Sequence, residues 1–116
     1  MAFDPSPHLP LTPASFQILV ALADGEKHGY AVIKEVARRT DGKVRLRAGT
    51  LYTALKRLVT DGLVAESAER PDPALDDERR RYYLLTRRGH AVALAEADRM
   101  TETLRQARAK LRTGPA

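Results

Sequence analysis

The chain reads as mainly α, with one small β-hairpin and a long C-terminal helix. Three observations predict this. Apolar residues recur at helical spacing in several stretches, two short β-like runs flank a turn-rich segment, and residues 86–112 carry a heptad rather than a globular pattern.

Taken in order, residues 1–10 (MAFDPSPHLP) are expected to be a disordered lead-in, with neither the basic nor the apolar block of a secretion signal. Thr12-Pro13 starts the first helix: a hydroxyl to cap a free N–H, then a ring whose missing N–H costs nothing there. Ile18, Leu19 and Leu22 form one apolar stripe and Phe16, Val20 and Ala23 a second, so this helix should lie between two packed bodies. Asp24-Gly25 ends it. A second helix runs from Gly29 to Arg39, with Tyr30, Ile33, Val36 and Ala37 facing the core, and Thr40-Asp41-Gly42 closes it. Lys43 to Arg47 alternates basic and apolar, the period of a strand, with Val44 and Leu46 inward.

A third helix spans Ala48 to Thr60. Leu51, Ala54, Leu55, Leu58 and Val59 form its buried face, and Thr50, Thr53, Lys56, Arg57 and Thr60 the opposite one. After Asp61-Gly62, runs at 63–68 and 80–85 form a hairpin around a tip containing Pro71 and Pro73. Thr86 caps the last helix, and residues 113–116 are a tail. Along that helix Ala93, Ala97, Met100, Leu104, Ala107 and Leu111 recur at alternating steps of four and three. Folding back on its own core is the alternative, but about 26 residues rising 1.5 Å each overshoot so small a domain. The seam is therefore expected to be a homodimer interface, joined by Phe16 and Val20 of the first helix. The organisation is a domain over 11–85 and a dimerisation helix over 86–112.

The bulk properties narrow the function. The net charge of +5 is unevenly placed. Residues 27–57 hold nine Lys/Arg against Glu35 and Asp41, a net of +7, whereas the rest of the chain has a net of −2. A basic segment of this kind attracts polyanions. With no Cys, disulfides and thiolate metal sites are excluded, as suits a reducing cytoplasm. No apolar run approaches the ~20 residues that span a bilayer. His8, His28 and His90 are too scattered for a metal site, and no nucleophile–base grouping or phosphate loop appears. The chain is expected to be neither an enzyme nor a cofactor binder.

Helix, helix, strand, helix, hairpin is the order of a winged helix-turn-helix, whose third helix enters the major groove of double-stranded DNA while the hairpin touches the flanking backbone. Thr50, Thr53, Lys56 and Arg57 are then candidates for base edges, and Arg45 and Arg47 for phosphates or bases. Arg79, Arg80 and Arg81 suit phosphates, although Asp76, Asp77 and Glu78 beside them would repel DNA or pair with them. Tyr52 either offers its hydroxyl to a phosphate or packs half-buried.

His28-Gly29-Tyr30, then Gly49-Thr50-Leu51-Tyr52, Leu55-Lys56-Arg57-Leu58, Asp61-Gly62-Leu63 and Tyr82-Tyr83-Leu84-Leu85-Thr86 with Gly89 resemble the PadR family of bacterial transcription regulators over residues 11–100. The short C-terminal part is similar to the subfamily with a single dimerisation helix. The resemblance implies a dimeric winged-helix protein, usually a repressor, in some members released by a small aromatic or drug-like effector. Some drug-responsive members place a tryptophan between the dimerising helices, and this chain has none. Thr53 stands where many members have proline, and Arg47 where a capping Ser or Asn is common. An RNA-binding or protein-docking winged helix is the competing reading.

Overall fold

The computed structural model describes residues 2–67 and 81–115. Helix α1 (Pro13–Ala21) starts after Thr12, whose hydroxyl accepts the Ser15 N–H at 3.1 Å. A two-residue strand, β1 (Lys27–His28), leads into α2 (Gly29–Arg39) and then α3 (Ala48–Thr60). Strands β2 (Val64–Ser67) and β3 (Tyr82–Leu85) follow, and α4 (Arg87–Arg112) closes the chain. The sheet is antiparallel in the order β1-β3-β2, with Val64 opposite Leu85, Ser67 opposite Tyr82 and Lys27 opposite Tyr83.

The core joins Ile18, Leu19 and Leu22 of α1, Val32 and Val36 of α2, and Leu51, Leu55 and Leu58 of α3 to Leu63, Val64, Tyr83 and Val92. Three expectations are corrected. Lys43–Arg47 belongs to no strand. Leu46 is buried and Val44 half-buried between exposed cations, so the period-two pattern describes burial correctly. Its backbone is held by the preceding turn instead: the Lys43 N–H donates to the Thr40 carbonyl and the Val44 N–H to the Thr40 hydroxyl, both at 3.0 Å. The third strand of the sheet is Lys27-His28, too short to show a period.

The buried face of α2 is the second correction. It is Gly29, Val32 and Val36, and Tyr30 is exposed, its ring beside His28 and under the Lys34 ammonium at 4.7 Å. Gly29 takes the core position because the Tyr52 ring already fills the space: a Cβ at 29 would stand 2.6 Å from the Tyr52 hydroxyl. Third, the lead-in expected to be disordered carries a turn of 3-10 helix at Ser6–His8. Phe3 lies 5.1 Å from the Arg88 guanidinium of α4, and Leu9 and Leu11 reach the core.

Thr86 joins the wing to α4. Its hydroxyl accepts the Gly89 N–H at 3.0 Å and donates to the Gly62 carbonyl at 2.7 Å. Gly89 then lies against the backbone of the α3–β2 turn, where a Cβ would stand 2.0 Å from the Leu63 carbonyl oxygen. Backbone cannot swing aside as a side-chain tip can. Gly89→Ala is therefore expected to lower stability by about 1–3 kcal/mol, the range for overpacking. Thermal denaturation checks this; an unchanged Tm would show that the turn shifts freely.

Glu96, 1% exposed, is the one buried charged side chain among the described residues. Its Oε2 accepts the Leu11 N–H at 2.7 Å, and its Oε1 accepts from Arg99 Nε. The Arg99 hydrogen bond, helped by that of Leu11, holds the carboxyl below its usual range despite burial.

Candidate nucleic-acid interface

Helix α3 turns Leu51, Leu55 and Leu58 inward against α1, α2 and β2, which leaves Thr50, Thr53, Lys56 and Arg57 exposed together. It starts at Ala48, with Arg47 in the cap position making no side-chain cap hydrogen bond. The Arg47 side chain is thus free of the helix it precedes. Arg45 is also exposed, its guanidinium folded back near Gly42, where a Cβ would lie 2.9 Å from Nη2. Gly42 has φ +76, so a side chain there would be strained as well as crowded.

The basic segment divides electrostatically in two. On α2, Glu35 lies within 4.0 Å of Lys27, Arg38 and Arg39, and Lys27 also meets Asp24 at 2.5 Å. Lys43, Arg45, Arg47, Lys56 and Arg57 have no carboxylate partner among the described residues. Within residues 27–57 the cations without a carboxylate partner are thus mostly on α3 and the extended segment that leads into it.

The wing stands beside α3, and Tyr52, Lys56 and Thr60 share a groove with Glu66, Arg81 and Tyr83. Arg81 is exposed, 3.8 Å from Glu66. Arg79 and Arg80, with Asp76, Asp77 and Glu78, lie outside the described residues. Tyr52 is half-buried against Gly29, which favours its packing reading. Tyr83 is buried, and burial first, then the Glu66 charge, pushes its hydroxyl pKa up to about 12. Tyr82, on the other face of the strand, is half-buried and edge-on to His28 at 5.5 Å. The His28 ring caps α2 by accepting the Ala31 N–H at 3.0 Å. No cluster of metal-ligand type occurs among the described residues.

The seam of α4 leaves the body progressively. Ala93 packs on the core and Ala97 is half-buried, whereas Met100, Leu104 and Leu111 are exposed and Ala107 is half-buried. Phe16 and Val20 are half-buried on α1. Leu94, 55% exposed, was missed by the strict heptad reading. It stands three residues before Ala97, so a helical i, i+3 reading started one position later would have found it. No helix among the described residues is long and apolar enough to cross a membrane.

A helical platform, an exposed cationic helix and an adjoining two-stranded wing define a winged helix-turn-helix DNA-binding protein. Comparison with known proteins makes the class specific. Residues 18–95 match the profile of the transcriptional regulator PadR-like family. The transcriptional regulator Rv3488 of Mycobacterium tuberculosis is 40% identical over 87 residues, 75% of this chain and 74% of that protein. A transcriptional regulator from Clostridium thermocellum shares the fold with a TM-score of 0.69 at 24% identity, over 84% of this chain and 88% of that one. The structure of Bordetella bronchiseptica BpsR, described as explaining regulation of its DNA binding by 6-hydroxynicotinic acid, has a TM-score of 0.58 at 30% identity. That match covers 80% of this chain and 64% of BpsR. The chain belongs to the PadR-like family and is a DNA-binding transcription regulator, not an enzyme.

Proposed function

We propose that the chain is a cytoplasmic homodimeric repressor that binds an inverted-repeat operator. The observation that carries this is the exposed face of α3, where Thr50, Thr53, Lys56 and Arg57 stand together and neither cation is ion-paired with a carboxylate among the described residues. Thr hydroxyls and methyls and Arg or Lys donors are the groups that read base edges. Arg45, Arg47 and Arg81, with Arg79 and Arg80, supply phosphate contacts that fix the register. The seam of α4 (Ala93, Ala97, Met100, Leu104, Ala107, Leu111), exposed from Met100 onward apart from the half-buried Ala107 and extended by Leu94, is the surface that a second copy covers, with Phe16 and Val20 at its side. Release by a small aromatic or drug-like effector fits this reading, since 6-hydroxynicotinic acid regulates DNA binding in BpsR.

A two-fold dimer with one reading helix per subunit contacts half-sites about one helical turn apart, roughly 34 Å. Footprinting on the DNA upstream of its own coding sequence should show two protected half-sites of opposite orientation, with RNA a poor competitor. A single asymmetric footprint, or equal competition by RNA, would count against the reading.

A further inference from the structure

The burial of α4 stops abruptly. Gly89, Val92 and Glu96 are its buried residues, and beyond Ala97 every side chain to Arg112 is exposed except the half-buried Ala107. The last buried position is thus a carboxylate, and its two oxygens take different partners. Oε2 accepts from Leu11, the residue just before the Thr12 cap of α1, and Oε1 accepts from Arg99, one turn along the exposed shaft. Helix α1 in turn packs on the reading helix α3. We propose that Glu96 is a positioning residue that fixes the angle at which α4 leaves the winged domain, and so sets the half-site spacing the homodimer accepts; this rests on the dimeric, inverted-repeat reading above.

The energetics support the assignment. A buried carboxylate costs desolvation, and an apolar residue of similar size would stabilise such a position as well or better. What the charge adds is direction: Arg99 holds the carboxylate in place on its own helix, and the Leu11 N–H then ties that fixed oxygen to the segment leading into α1. The lever amplifies it. The 16 residues from Ala97 to Arg112 extend about 24 Å at 1.5 Å per residue. A tilt of ~10° at Glu96 moves the far end by ~4 Å, close to the ~3.4 Å rise of one base pair.

The test uses the full chain, whose lack of cysteine lets Thr60→Cys carry one spin label per subunit on α3. Distances between the two labels of the free dimer are measured in three backgrounds. With Glu96 intact the distribution should be narrow, and Glu96→Ala should broaden it. Glu96→Gln, which still accepts from Leu11 but offers Arg99 no charge, should fall between, and it carries the test if the alanine variant does not fold. On duplexes whose half-site spacing is stepped by single base pairs, Glu96→Ala should lose the spacing preference while its affinity for a lone half-site is unchanged. Val36→Ala, a core change in α2, controls for lost stability. Equal widths in all three backgrounds, or equal broadening by Val36→Ala, would overturn the proposal. If the chain with Glu96 intact gives no dipolar signal, the dimer reading itself falls, and the proposal with it.

Discussion

Replacing Lys56 and Arg57 by alanine is expected to abolish specific binding to the upstream DNA while leaving the fold intact. Both side chains are exposed and neither contributes to the core, so stability should hardly change. If one of them is bidentate to guanine, discrimination at that base pair should fall by about 1–3 kcal/mol. A lost phosphate contact would instead weaken all sequences alike and flatten the salt slope by about one for each charge removed. The pair of substitutions also lowers the net charge, so a compensated variant separates site from field. Asp98→Lys, on the exposed side of α4, restores the total of +5 when added to the double variant. Electrophoretic mobility shift over a range of salt concentrations should show binding still lost. Recovery by Asp98→Lys would mean that attraction is global and that α3 is not the reader.

Leu104→Asp should give monomers in sedimentation and a steep loss of DNA affinity. Leu104 is 51% exposed and lies on the part of α4 that has left the core, so the winged domain should melt unchanged. If the seam is the dimer interface, a carboxylate at 104 would be buried there without a partner, at a large desolvation cost. Linking two reading helices raises affinity by about 10²–10⁴ over one, and that factor is what the monomer forfeits. A variant that stays dimeric with unchanged affinity would place the interface elsewhere.

The helices were legible because their signals are local and redundant. Thr12-Pro13 and Thr86 mark their own helix starts, and Leu51, Leu55 and Leu58 repeat the period of α3 along one face. The pairing of Glu35 with Arg38 and Arg39 follows from helical spacing alone, whereas its approach to Lys27 needs the fold. What failed depended on partners distant in the chain. A strand exists only with a ladder neighbour, so Lys43–Arg47 alternates without pairing while Lys27-His28 pairs without alternating. Glu96 carries no local mark of burial, because its partner Leu11 is 85 residues away. Tyr30 and Gly29 exchanged roles because a glycine counts as nothing in a hydrophobic period, yet can occupy a buried position of a helix.

The contact between Gly29 and Tyr52 also governs the order in which this sequence can change. A methyl at position 29 would meet the Tyr52 hydroxyl at 2.6 Å and the ring carbons at 2.9 Å, so the ring must turn aside or shrink before a side chain at 29 fits. Shrinking Tyr52 first, for example to valine, leaves a void that a later Gly29→Ala fills and so partly repairs; taken in the reverse order, the first step is a clash. In a library randomised at both positions, side chains at 29 should therefore be enriched alongside small residues at 52. Two short motifs far apart in the chain thus change as a pair, with one order of steps easier than the other.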